Sequence, residues 1–318
     1  MVELVALRDA YGRALVDLGE QDERVVAVDA DLASSSKMSL FAEAFPERFF
    51  QMGIAEQNMT GVAAGLAAVG FIPFTNSFAC FATLRTTDQI RTSIAQPGLP
   101  VVIGGAYSGL LAGKTGKTHQ AIEDIAVMRA LPNMTVVAPG DGVEVRKAVF
   151  AVADYGAPVY LRVTRDPSPV VFDESYDFRI GRAVLVREGT DVTVITTGVM
   201  VGRAVEAADL LAAEGISLHL LHVHTVKPLD VAAVVAAAEK TGLVVTAEEH
   251  TIIGGLGGAV AEALGEQRPT PMKRVGVADV WSESASNDDL LQKYGLTAGH
   301  IAQAARSLLE RRAAPTQP

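Results

Sequence analysis

Through the first 165 residues, stretches with apolar side chains at helical spacing alternate with short runs that are apolar almost without a break. The helical stretches fall at 4–19, 37–45, 56–69, 82–95 and 121–130, with one more before residue 158. Between them lie VVAVDA (25–30), FFQMG (49–53), FIPFTNSF (71–78), PVVIGGAY (100–107), TVVAP (135–139) and PVYLRV (158–163). An antiparallel sheet with one wet face would show apolar and polar residues in strict alternation. Unbroken apolar strands spaced by single helices predict a parallel sheet buried on both faces. A Pro-rich acidic segment, RDPSPVVFDESYD (165–177), then breaks the rhythm as a surface connector.

The alternation resumes with DVTVITTG (191–198), a helix over 202–214, SLHLLHV (217–223), a helix over 229–240, LVVTAEEH (243–250), a helix from 257 and KRVGVAD (273–279). A closing helix after Thr297 places Ile301, Ala304, Ala305 and Leu308 on one stripe, and the tail AAPTQP is expected to be disordered. The predicted class is α/β with two doubly wound domains, at 1–168 and 183–312, joined by a linker at 169–182. Repeats of short period are absent.

Composition supports this reading, since 49% hydrophobic content across 318 residues can fill two cores. A net charge of −10 argues against nucleic acid or an anionic membrane as a partner, although a local basic pocket could hold a phosphate. The single cysteine, Cys80, excludes an intrachain disulfide framework. The start MVELVALRDAYGRAL lacks the apolar core of a signal peptide, and no apolar run reaches the roughly 18 residues a membrane span needs. A reducing cytoplasm is the expected compartment.

In open α/β sheets, ligands lie at the carboxyl ends of the strands. There the first domain carries DADLASSS (29–36), GIAEQNM (53–59), NSFACF (76–81) and GAYSGLLAGKTGKTHQ (105–120). Asp31, Ser35, Glu56, Phe78, Phe81 and His119 could converge on one crevice edge, two rings beside a carboxylate and an imidazole, as a platform for a planar heterocycle. Glu56 opens a helix, so it could equally serve the free N–H groups and dipole there.

Other motifs favour structural readings. The GDG at 140–142 lacks the later asparagine of a metal–diphosphate motif, and GKT at 113–115 lacks the phosphate-loop glycine spacing. IGGLGG (253–258) suits a helix-entry turn. His219, His222 and His224 lie on one predicted strand, His222 and His224 sharing a face, with no thiolate or carboxylate to complete a ligand set. No metal site is read in this chain.

Taken together, DADLASSS, GIAEQNM, SFACF, THQAIEDIAVMRALPNMTVVAPGD and VYLRVTR, followed by TTG, VHTVKPLD and AEEHTIIGGLGG, resemble in order and spacing the C-terminal half of a transketolase. The resemblance covers essentially the whole chain. It implies a thiamine diphosphate pyrimidine-binding domain followed by a transketolase C-terminal domain, and transfer of a two-carbon ketol unit from a ketose to an aldehyde.

It also implies residue roles. Glu56 would hydrogen-bond the pyrimidine ring nitrogen of the cofactor and favour its imino tautomer. Phe81 would stack on the aminopyrimidine, supported by Phe78, with Ile54 and Asp31 also at the cofactor. His119 would assist proton movement at the substrate. Ser35, Tyr107, Thr115, Lys117 and Arg165 would contact the substrate, Arg165 at an anionic group. The pattern departs from sugar-phosphate transketolases at Thr115, where aspartate is usual, at Lys117 in place of proline, at Tyr107 in place of histidine, and at Leu84 in place of an aromatic residue. Lys114 and Lys117 still suit an anionic ligand.

The family's diphosphate domain, with its Mg²⁺ site, is not in this sequence. The resemblance therefore implies a partner subunit carrying that domain and holding the Mg²⁺, most simply in a two-plus-two heterotetramer with thiamine diphosphate shared between the chains. The alternatives are the β subunit of a 2-oxo acid dehydrogenase, which shares the domain plan, and a non-catalytic regulatory or scaffold subunit.

Overall fold

The computed structural model describes residues 3–313; the tail expected to be disordered lies outside these residues except for Ala313, which ends a helix. In chain order the first strands are β1 (Leu4–Ala6), β2 (Val25–Asp29), β3 (Phe49–Gln51), β4 (Ile72–Phe78), β5 (Val102–Ala106), β6 (Thr135–Val137), β7 (Val159–Val163) and β8 (Pro167–Pro169). They are followed by β9 (Val184–Arg187), β10 (Val192–Thr196), β11 (Leu218–His222), β12 (Thr225–Lys227), β13 (Val244–Thr251) and β14 (Met272–Val277).

Seven strands form the first sheet in the order β12-β6-β7-β5-β4-β2-β3, all parallel except β12. Burial on both faces follows from the unbroken apolar runs. Helices Leu7–Gln21 and Gly142–Asp154 pack Leu7, Leu15, Val145 and Val149 with Phe74 on one face. Helix Glu56–Ala68 and its neighbours pack Met59, Ala63, Ile90 and Ile94 with Ile103 and Val136 on the other. From β2 the chain moves outward to β3, then back across β2 to β4, so the strand order reverses between β2 and β4. At such a reversal α/β sheets place a ligand outside the carboxyl ends of the strands.

The second sheet has the order β14-β13-β10-β11-β9, parallel except for the edge strand β9. The two domains share more than a connector. Strand β12, which follows β11 by two residues, leaves the second domain and pairs with β6 of the first sheet. The connector is also held: β8 pairs antiparallel with β1, and buried Glu144 accepts from His222 Nε2 at 2.9 Å and from Tyr176 Oη at 2.9 Å. Burial alone would raise the Glu144 pKa, but the neighbouring imidazoles and the bonds it accepts hold it below the usual range.

Several predicted elements are corrected. The first helix begins at Leu7, not residue 4, because Leu4–Ala6 is drawn into β1 by the connector. The stretch 82–95 contains π-helical turns at Phe81–Arg85 and Ile90–Ala95 around a short helix, Thr87–Gln89. Strand β11 ends at His222, leaving His224 beyond it. Helix Asn287–Lys293 and strands β1, β9 and β12 carry patterns too short to read by periodicity.

Candidate active site

Three strand ends are stapled together beside the crevice. Asp29, fully buried at the end of β2, accepts through Oδ1 from Asn76 Nδ2 of β4 at 2.5 Å. Its Oδ2 accepts from Gln51 Nε2 of β3 and from Leu32 N, each at 2.8 Å. Gln51 Oε1 in turn accepts from the N–H groups of Asp31 and Gly53, each at 2.9 Å. A buried carboxylate with every bond met rigidifies its surroundings. Here the network fixes the turns that carry Asp31, at φ +63°, and Ile54, which is exposed.

Glu56 is the first residue of helix Glu56–Ala68 and is 5% exposed. Its carboxylate does not cap the helix; Oε1 accepts from Arg85 Nη1 at 2.8 Å. The same guanidinium lies 3.9 Å from the centre of the Phe81 ring. Arg85 thus joins the buried acid to the aromatic shelf through one flat cation. Beyond Phe81 the shelf continues: its ring is 6.0 Å from Phe78 and 5.2 Å, edge-on, from His119. Phe78 stacks on Tyr107 at 4.2 Å. The His119 ring is oriented by a 2.8 Å hydrogen bond between Nδ1 and Thr118 Oγ1. Burial pushes the Cys80 thiol up to about 12, which leaves it protonated and poorly nucleophilic at neutral pH.

A cationic end adjoins Tyr107, whose φ of +57° is an uncommon conformation for a residue with a side chain. Arg8 Nη1 donates to Tyr107 Oη at 2.9 Å and to Ser35 O at 3.0 Å, and the Arg165 guanidinium lies 5.2 Å from the Tyr107 ring. The Nε atoms of both arginines are buried without a hydrogen-bond partner. Each also faces an acid, Arg8 Nε lying 3.8 Å from Asp9 Oδ1 and Arg165 Nε 3.7 Å from Asp166 Oδ1.

The structure therefore links Glu56, Phe81, Phe78, His119, Tyr107, Ser35 and Arg165 through a chain of direct contacts. Asp31 and Ile54 occupy the stapled turns alongside, outside that chain. Thr115 directs its hydroxyl to Ala112 O at 3.1 Å, and Lys114 and Lys117 are exposed on the same loop.

Sequence reasoning missed Arg8, Arg85, Asp29, Gln51 and Asn76. Asp29, Gln51 and Asn76 sit at the carboxyl ends of strands, and that position was the signal available. Arg85 lies four residues beyond Phe81, but the irregular helix there gave no period to read.

The motifs with structural readings have structural roles. Asp141 of the GDG caps helix Gly142–Asp154, accepting from Glu144 N at 2.8 Å through Oδ1, while Oδ2 accepts from Val171 N and Phe172 N. The GKT forms a single 3₁₀ turn with no helix opening from it. Gly254, at φ +74°, makes the turn into helix Leu256–Gln267. His222 and His224 are buried with ring centres 6.2 Å apart. Among the described residues, no group of three or more His, Cys, Asp and Glu side chains could hold a metal ion.

Comparison with known proteins matches residues 3–169 to the family described as transketolase, pyrimidine binding domain, and residues 181–301 to transketolase, C-terminal domain. The chain is 47% identical to 6-deoxy-6-sulfo-D-fructose transketolase subunit SqwH of Clostridium sp. (strain MSTE9), over 96% of this chain and 95% of that one. It is 36% identical to an apulose-4-phosphate transketolase subunit of Phocaeicola vulgatus, over 97% and 99% of the two chains. A solved structure described as a split gene transketolase, inactive beta4 tetramer, superimposes with a TM-score of 0.90 at 49% identity, covering 96% of this chain and 99% of the other.

Proposed function

The chain belongs to the transketolase family, as one subunit of a split, thiamine diphosphate-dependent transketolase, and from that premise we propose that it acts only beside a second subunit carrying the diphosphate-binding domain. The observation that carries this reading is the buried Glu56 carboxylate at the edge of the Phe81 shelf. A flat ring to stack on and a sequestered acid to receive a ring nitrogen fit the pyrimidine half of the cofactor. Two subunits of each kind, with Mg²⁺ and the diphosphate on the partner, complete the proposed assembly, and the cytoplasm is its proposed compartment.

Bound thiamine diphosphate supplies an electron sink for breaking and forming the carbon–carbon bond next to a carbonyl. The chain's own residues provide the rest. With Oε1 engaged by Arg85, Glu56 has Oε2 free to hold a ring nitrogen through a shared proton. Phe81 and Phe78 orient the ring and keep water from that proton. His119, held through Nδ1, offers Nε2 to a substrate hydroxyl as a proton carrier. Tyr107 and Thr115 shape the substrate's polyol contacts, while Asp31 and Ile54 border the cofactor from the stapled turns. Arg8 and Arg165, which meet at Tyr107, receive an anionic terminus of a ketose or aldehyde, with Ser35, whose carbonyl Arg8 holds, and Lys117 of the exposed loop as further contacts. Both relatives are named for sugars bearing such an anion, a sulfonate in one and a phosphate in the other. The dehydrogenase and scaffold alternatives are not favoured, because these relatives are transketolase subunits.

The test is ketol transfer by this chain mixed with its partner, comparing wild type with Glu56→Gln. Transfer requiring both chains and falling by at least about 100-fold in the variant is expected. Release of carbon dioxide from 2-oxo acids without ketol transfer would support the dehydrogenase reading instead.

A further inference from the structure

The loop at 108–121 carries Thr115, Lys117 and His119, and Tyr107 leads into it, yet much of what holds it comes from the other domain. Glu249, in β13 of the second domain, is fully buried, and its Oε1 accepts from Leu111 N at 2.7 Å. Gly109 abuts the same carboxylate at φ +73°; a Cβ there would lie 2.5 Å from Glu249 Cδ. The loop's far stem is fixed nearby, where Thr251 N donates to Ile122 O at 2.7 Å and Gly109 N to Ala121 O at 2.8 Å. Arg162 spans both domains, donating through Nη2 to Glu249 O at 2.9 Å and through Nε to Asp124 Oδ2 at 2.8 Å. Farther out, Gln120 Nε2 donates to Gly113 O at 2.9 Å and to Glu283 O of the second domain at 3.1 Å.

A carboxylate that reaches from a strand of one domain to a loop N–H of another does so at the cost of its own desolvation, and burial holds its pKa above the ordinary carboxylate value. Glu249 Oε2 has no hydrogen-bond partner, and the charges of Arg162 and Arg203 only partly offset the burial. What the arrangement does fix is the path of the chain at 109–111. The same loop runs on to His119, whose ring lies 5.8 and 5.2 Å from the Phe78 and Phe81 rings.

We propose that Glu249 is a positioning residue for ketol transfer: from the second domain it sets the loop that presents Tyr107 and His119, without contributing to the cofactor's pyrimidine site. The proposal rests on the functional reading above for its catalytic consequence and on geometry alone for its structural one. Loop displacements remote from the reacting atoms lower turnover because orientation is lost.

The experiment compares Glu249→Gln, which keeps an oxygen acceptor, with Glu249→Asp, which keeps the charge but retracts it by one methylene, and Glu249→Leu, which removes both. In the assembled enzyme the expected order of kcat is wild type, then Gln within about threefold, then Asp and Leu lower by at least about tenfold. Cofactor affinity measured by titration stays within about twofold of wild type in the Gln and Asp variants, since Glu56 and Phe81 are not on the loop. In the full chain alone, trypsin cleavage after Lys114 and Lys117, read by mass spectrometry, quickens at least tenfold in Asp and is little changed in Gln.

Wild-type turnover in the Asp variant overturns the proposal, as does parallel loss of cofactor affinity and kcat, which would mark general damage to domain packing. Should Leu fail to fold, the contrast between Gln and Asp decides. If the wild-type assembly shows no ketol transfer, that failure belongs to the functional reading, and the tryptic comparison alone supports or overturns Glu249 as the loop's anchor.

Discussion

Glu56 and Arg85 form a half-buried pair, with side chains 6% and 48% exposed. Removing the cation leaves an acid in an apolar crevice, while the arginine's exposure tempers what the pair contributes. Arg85→Met is expected to destabilise the isolated chain by about 1–2 kcal/mol, and by much less in a Glu56→Gln background. A double-mutant cycle by denaturant melting checks this; additive effects would dissolve the coupling. At the substrate end, Tyr107→Phe removes the acceptor of Arg8 and is expected to raise KM for an anionic substrate several-fold with little change in kcat, about what one lost charge-assisted bond is worth. That Phe81 and His119 lie together was legible because both stand in segments that follow strands at the carboxyl edge of the sheet. Arg8 was not, because a lone arginine in the first turn of an amphipathic helix reads as solvated surface.

Among the elements, the central parallel strands of both sheets were legible because each has an apolar run and is spaced from the next by a helix. β1, β8 and β12 escaped because they fall outside the helix–strand alternation, and their partners lie far away in sequence: Ala6 pairs with Pro167 and Thr225 with Val137. The glycines of the site loop carry information that composition does not. Gly109 has both a positive φ and a carboxylate against its missing Cβ. Gly109→Ala is therefore expected to cost about 2 kcal/mol or more, from strain and overpacking together, whereas Gly65→Ala, on an exposed helix face with open space around it, should stabilise by up to about 1 kcal/mol. Thermal melts of both variants test the contrast, and equal losses would contradict it.

For the whole molecule, the buried charges between the domains predict how stability follows pH. His250 is neutral by geometry, donating through Nδ1 to Thr251 O at 2.7 Å and accepting through Nε2 from Ala126 N at 3.3 Å, and burial pulls its pKa down to about 4. Burial likewise pulls His224 down to about 4. For each, the unfolded chain binds more protons than the native one between about 6.5 and 4, so stability falls as pH falls through that window. Glu248 opposes them: burial pushes it up to about 7, so its contribution is present below about 4.5 and is lost as pH rises through 7. Removing one lowered imidazole, in His224→Gln, is therefore expected to make the fall in melting temperature from pH 6.5 to 4.5 shallower than in wild type. An unchanged or steeper slope in the variant would contradict the placement of His224. What composition could not show is that these groups sit at a domain boundary bridged by Arg162 and Glu249, since that proximity exists only after both sheets form. The same boundary supports a crevice that, on this account, holds only the pyrimidine half of its cofactor. Calorimetric titration of thiamine diphosphate with Mg²⁺ into this chain, into the partner and into their mixture tests that claim most directly. The account predicts tight binding by the mixture alone, lost with Glu56→Ala; equally tight binding by the isolated chain, or binding by the mixture indifferent to Glu56, would contradict it.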